Sequence, residues 1–281
     1  MIQEGNIKYT IYIADLLVRQ GEHRAALTML LIAIAASSSK MFPPGTASID
    51  NPAVKPGKIN LMGDKEKFIR FLGPKLRIAM GFIDTQEDGK HDYLIEFSEK
   101  FPSPEEFIYK ECRCPQIHEA GLPDSIRFIK NDKTDTSSFQ IELNGSEGFF
   151  FHSGFLSLLR WAVVNAPTNG KEFGIHHFRP KSKLHDNIQE FNEYLSELIN
   201  VTPGRIFMTM QELSTLINKN PEISYNNLKP MLISELEKKT NASFNLNSMG
   251  EPIITKGKIT KTGTKLVDAI FNEIDFIDIS S

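Results

Sequence analysis

The stretch "YKECRCPQIHEAGLP", residues 109–123, places two cysteines, an arginine and a histidine within seven positions. Three chemistries draw on such residues: metal binding, thiol redox and proton transfer beside a bound anion. Cys112, Cys114 and His118 would offer two thiolates and an imidazole. A structural zinc site needs four ligands, however, and C-x-C-x-x-x-H fits no common finger spacing. A dithiol redox pair works best with two intervening residues rather than one. The cysteines therefore read as small apolar side chains packed on a helix, and neither a metal nor a cofactor is expected.

Arg113 and His118 have a different potential. Five positions on an α-helix separate them by about 140° and roughly 7.5 Å along the axis, a gap that a long guanidinium can reach across. Two such helices face to face would gather two arginines and two histidines. Imidazole exchanges a proton near neutral pH, and guanidinium holds non-bridging phosphate oxygens as charge builds on them. In RNA the 2′-hydroxyl is itself a nucleophile, so the reaction needs no metal. Spacing alone fits equally simple chemistry, and by itself favours it: Arg113 and His118 as helix residues paired with Glu111 or Glu119.

Elsewhere, Lys256, Lys258, Lys261 and Lys265 in "TKGKITKTGTK" form a basic run that would suit nucleic-acid phosphates or serve as an ordinary solvated hairpin. His176-His177 lacks a carboxylate or thiol at ligand spacing. No Walker loop, G-x-S-x-G or dinucleotide fingerprint is present.

The elements that would position these residues are mainly helical. Ile7, Ile11, Leu16 and Leu17 outline a first helix over 7–20, stopped by Gly21. Residues 22–41 are apolar on most sides, as befits a central bundle helix, and Pro43-Pro44-Gly45 forbids its continuation. After a loop over 46–60, Phe68, Phe71, Leu72, Leu76 and Met80 mark another helix, with a kink expected at Gly73-Pro74. "SPEEF" supplies Ser103 as N-cap, Pro104 at the first helical position and Glu106 for a capping box. Arg113 and His118 thus lie on the latter half of a helix, with Pro115 bending it between them.

Beyond Gly121-Leu122-Pro123 the period becomes two, around Ile126/Phe128 and Phe139/Ile141/Leu143. Asn144-Gly145 then turns the chain back into Phe149-Phe150-Phe151, which predicts a small antiparallel hairpin. Ser153 is placed to cap a last helix that Pro167 ends. Residues 171–186 show no period and read as a connector. Helical patterns follow at 187–199, 209–219 and 226–239, then alternating stretches at 242–246 and 253–254, and a closing helix at 263–272. Three helices and a two-stranded wing is a winged-helix order, one that any small α+β module shares. The expected domains are residues 1–175, a helical bundle with a small β-hairpin, and 176–281, a smaller α+β winged-helix-like module.

Composition bounds the function. The chain has 281 residues, 40% of them apolar, and 32 Lys plus Arg against 35 Asp plus Glu; the net charge of −3 argues against a protein that coats nucleic acid broadly. Cysteines two positions apart do not close a disulfide in ordinary geometry, so a reducing cytoplasm is expected. No signal peptide is evident. The longest apolar run, Ala25–Ala36, is too short to span a bilayer.

A helical bundle whose late helix carries an arginine, four residues and a histidine, here "RCPQIHEAG", resembles the HEPN family of bacterial toxin and defence proteins. "LLVRQGEHRAALTMLLIAIAA" also resembles the N-terminal helices of HEPN-like proteins, and the likeness covers roughly residues 1–170. It implies a mainly α, HEPN-like fold with Arg113 and His118 as catalytic residues. It further implies metal-independent RNA cleavage at a site shared across a homodimer, with a neutralising or regulatory protein partner. The chain departs from the family's pattern in three ways. Cys114 stands where a polar residue is usual, Pro115 interrupts the motif, and Ala120 replaces the tyrosine that partner nucleotidyltransferases modify in some toxins. The alternative is a non-catalytic dimerisation or nucleotide- or RNA-binding bundle whose C-terminal module recognises DNA or a protein.

Overall fold

In the computed structural model, residues 6–53, 55, 57–79, 103–115, 121–124, 126–129, 141–144, 148–220, 222–238 and 250–281 are described. They form a mainly helical protein with few, short strands. The chain divides into two compact units, Met1–Gly174 and Ile175–Ser281.

In the first unit, α1 (Asn6–Arg19) ends as Gly21 adopts φ +78°, and α2 (His23–Met41) runs back beside it. Every third or fourth residue of α2, including Leu27, Leu30 and Ile34, is fully buried, because α1, α3 (Asp64–Ala79) and α5 (Ser153–Val164) all pack on it. By length and composition, α2 is the one described helix able to cross a membrane. Its buried face packs on α1, α3 and α5, while Ile32 is 47% exposed.

Within α3, Pro74 sits without ending the helix. The residue beside it, Gly73, is fixed by close approach: a Cβ there would lie 2.6 Å from Oε1 of the buried Glu105 and 3.3 Å from Nη1 of Arg77. Glu105 and Arg77 are themselves paired at 3.7 Å across α3 and α4 (Pro104–Phe107). In the loop before α3, Ser48, Ile49 and Asp50 all meet one carboxylate. Glu66 accepts from Ser48 Oγ at 2.7 Å, Ile49 N at 2.7 Å and Asp50 N at 2.9 Å. Burial opposes its charge, but these hydrogen bonds prevail and hold its carboxyl below the usual carboxylate range.

A three-stranded sheet packs on α5 through β3. The expected hairpin is present in β2 (Ile141–Asn144) and β3 (Gly148–His152), which pair antiparallel. Strand β1 (Ile126–Ile129) adds on the other side of β3, running parallel to it, so the order is β1-β3-β2. Phe151 on β3 stacks on Phe155 of α5 at 4.7 Å, joining sheet and helix. The N-cap of α5 is His152, in extended conformation and without a side-chain cap bond, rather than Ser153.

In the second unit, α7 (Ile188–Ile199), α8 (Pro203–Lys219) and α9 (Leu228–Lys238) precede a hairpin of β5 (Ile254–Thr255) and β6 (Lys258–Ile259). Then come α10 (Lys261–Glu273) and β7 (Ile274–Asp278). Residues 242–246, expected to alternate, lie outside the described residues. Two expectations are corrected. Helix α8 starts six residues earlier than expected, with Pro203 at its first turn. The expected connector over 171–186 contains α6 (Gly170–Phe173), which Gly174 ends at φ +67°, and then β4 (Phe178–Ser182). Strand β4 pairs antiparallel with β7 across nearly a hundred residues, Phe178 opposite Asp278. Its core gathers Phe191, Leu195, Ile206, Leu213, Leu232, Leu266 and Ile270.

Candidate functional site

The helix that carries Arg113 begins as its sequence dictates. Ser103 is extended and accepts from Glu106 N at 3.3 Å, and Pro104 takes the first helical position. From Ile108 to Arg113 the helix then widens to a π turn, and the Cys114 N–H bonds to the Tyr109 carbonyl five residues back. Pro115 supplies the cause: on an α-helix its ring would strike the Glu111 carbonyl, and it has no N–H to offer. The expected disturbance around Pro115 therefore takes the form of a wide turn immediately before it.

Widening brings Tyr109 and Arg113 to the α3 side of the helix. Arg113 Cζ lies 4.9 Å from the Tyr109 ring centroid and 5.9 Å from that of Phe68 on α3. Those rings meet edge to face at 5.3 Å, forming a shelf beneath the guanidinium. Such cation–π contacts contribute about 0.5–2 kcal/mol each, more as water is excluded. The Arg113 side chain is 15% exposed, and its buried Nε has no hydrogen-bond partner among the described residues. Its ion pair with Asp64, the first residue of α3, spans 4.0 Å to a carboxylate whose side chain is 75% exposed. That distance is too long for a hydrogen bond, and an exposed pair of this kind is worth at most about 1 kcal/mol. Beside it, Lys65 and Glu106 form a tighter pair at 2.8 Å.

The cysteines behave as packing residues. Cys112 is fully buried in the first core, and burial pushes its thiol far above the ordinary range, so no thiolate forms at neutral pH. Cys114 is partly exposed, and both thiols are free. Burial, with a smaller contribution from its hydrogen bond to Cys114, also raises the Tyr109 phenol, which stays neutral. His118 lies outside the described residues, as do its neighbours from 116 to 120.

Lys256, Lys258, Lys261 and Lys265 all lie exposed on the β5–β6 hairpin and the first turns of α10. Lys256 at φ +50° and Gly257 at φ +71° make the tight hairpin turn. Lys258, 82% exposed, is 3.9 Å from Glu237 on α9, and the same carboxylate accepts from Ile259 N at 3.0 Å. Gly263 lets α10 sit against the hairpin, since a Cβ there would collide with the Ile253 carbonyl. His176 Nδ1 lies 2.7 Å from Asp278, and this hydrogen bond holds the Asp278 carboxyl well below the usual carboxylate range. No group of three or more His, Cys, Asp or Glu side chains is arranged for a metal ion among the described residues.

The sequence reading singled out Arg113 but missed Tyr109, Phe68 and Asp64, the groups that hold it. Tyr109, four residues before Arg113, was the nearest available signal. No protein-family model matches this chain, and no curated protein or solved structure is significantly similar to it.

Proposed function

We propose that the first unit is a HEPN-like, metal-independent endoribonuclease acting in the cytoplasm as a homodimer, in toxin or antiviral defence. The observation that carries this reading is the state of Arg113 among the described residues: a guanidinium laid on Tyr109 and Phe68, its buried Nε without a hydrogen-bond partner there and its ion pair with the exposed Asp64 4.0 Å long. Such a group is oriented before any anion arrives, and orientation is what stabilises charge developing in a transition state. In the reaction, the 2′-oxygen of RNA attacks the adjacent phosphorus and the bond to the 5′-oxygen breaks. The products are a 2′,3′-cyclic phosphate and a 5′-hydroxyl. His118 takes the 2′-hydroxyl proton or delivers one to the leaving oxygen, and Arg113 holds the non-bridging oxygens. The motif "RCPQIHEAG" supplies both residue types within six positions of the sequence. A regulatory or neutralising partner belongs to this reading.

The test is incubation of purified protein with total RNA in chelator, beside Arg113→Ala and His118→Ala. Cleavage by the wild type that both variants lose supports the reading. Equal cleavage by all three, or none by the wild type, removes it.

A second reading, in which the protein binds rather than cuts, is favoured by Lys256, Lys258, Lys261 and Lys265. All four are exposed at one end of the second unit, and no acidic residue occurs from 252 to 267. The second unit is then a winged-helix-like module touching nucleic-acid phosphates through its hairpin. Salt-dependent binding of labelled DNA or RNA that survives Arg113→Ala and fails on charge reversal of the lysines would favour it.

A further inference from the structure

We propose that Asp64 and Tyr109 control the anion site at Arg113: Tyr109 as the shelf that positions the guanidinium, Asp64 as a resident counter-ion that an incoming phosphate displaces. The inference rests on Arg113 being a phosphate ligand and adds two residues that set how well it serves.

The two contacts are unequal in kind. Tyr109 lies one wide turn before Arg113 and is itself held by Phe68, so the ring cannot swing away without opening the α3 contact. The phenol is kept neutral by burial, leaving the ring face to attract the cation. Asp64 approaches from α3 with its carboxylate largely in water and 4.0 Å from Arg113 Nη2. A phosphate oxygen can approach to about 2.8 Å and bond two guanidinium N–H groups at once. Phosphate is therefore the stronger partner for this cation, and Asp64 is left to water, its position at the N-terminus of α3 still favouring its charge. The carboxylate neutralises Arg113 at rest and weakens anions that cannot make the bidentate contact.

The experiment follows the Arg113 Nε–H signal by 15N NMR, assigned by its loss in Arg113→Lys, as inorganic phosphate is added to the full chain. Asp64→Asn is expected to lower the midpoint about two- to fivefold, the range of an exposed ion pair. Tyr109→Leu raises it about three- to tenfold, and Tyr109→Phe, which keeps the ring, restores it to within about twofold of wild type. A signal that ignores phosphate, or midpoints that coincide in wild type, Asp64→Asn and Tyr109→Leu, would overturn the inference. If the midpoints move as expected while the chain cuts no RNA, the counter-ion and shelf stand and the ribonuclease reading falls. A Tyr109→Phe midpoint matching that of Tyr109→Leu would show that the hydroxyl and not the ring matters, and would overturn the shelf.

Discussion

Arg113 in the first unit and the lysines at the β5–β6 end of the second both present positive charge, by opposite physical means. Arg113 is mostly buried and seated against two rings. The lysines are exposed on a hairpin turn and a helix start, and the one ion pair given for them among the described residues, Lys258 with Glu237, is 3.9 Å long. Fixed charge has already lost its entropy and can act on one atom of a reacting group. Loose charge attracts a polyanion along its length without selecting an atom. On the proposed reading, the first region would cut and the second would hold.

The largest expected difference lies in kinetics. Arg113→Ala should lower kcat for RNA cleavage by about a hundredfold or more, as loss of an oriented donor does. Reversing Lys256, Lys258, Lys261 and Lys265 together to Glu should leave kcat within a few-fold and raise KM, with a shallower dependence on salt. Equal effects on kcat from both sets would erase the distinction between fixed and loose charge.

Next in size are the glycines that set each region's framework. Gly263→Ala places a methyl on the Ile253 carbonyl, a backbone atom that cannot rotate aside. It should cost about 3 kcal/mol, the upper range of overpacking. Gly73→Ala meets the end of a side chain instead, that of the buried Glu105, and gains helix propensity, so a loss of only about 1 kcal/mol is expected. Urea unfolding of the two variants orders them; a larger loss for Gly73→Ala would contradict the packing described here.

The smallest effect is one of pH. Glu66 has its carboxyl lowered in the folded chain, so its contribution is complete above the ordinary carboxylate range and lost as the pH falls through the depressed value. Acid unfolding followed by fluorescence should begin at higher pH in Glu66→Gln than in wild type, because the loop contacts through Ile49 N and Asp50 N are then already weakened. Superimposable acid transitions would show that this carboxylate does not anchor the loop.

Local chemistry made much of the fold readable. Ser103 and Pro104 start their helix where the capping pattern places them, and Gly21 ends α1 in the left-handed region, whereas α2 buries one face and leaves Ile32 47% exposed. Relations across long sequence distances were harder to read. Strand β4 is five residues long, contains Pro180, and acquires its identity only from β7 at the far end of the chain. The parallel placement of β1 likewise depends on a partner and not on its own pattern. At the candidate site, the sequence displays Arg113, whereas its aromatic shelf depends on how α3 meets the π turn, and no spacing rule encodes that meeting. Pro115 marks the disturbance but does not reveal that the helix widens ahead of it.

The ends of the RNA fragments test the proposed ribonuclease most directly. Mass spectrometry of an oligonucleotide cleaved in chelator should find 2′,3′-cyclic phosphate and 5′-hydroxyl termini from the wild type, and intact substrate with Arg113→Ala or His118→Ala. Termini bearing 3′-hydroxyl and 5′-phosphate, or undiminished cleavage by either variant, would contradict it.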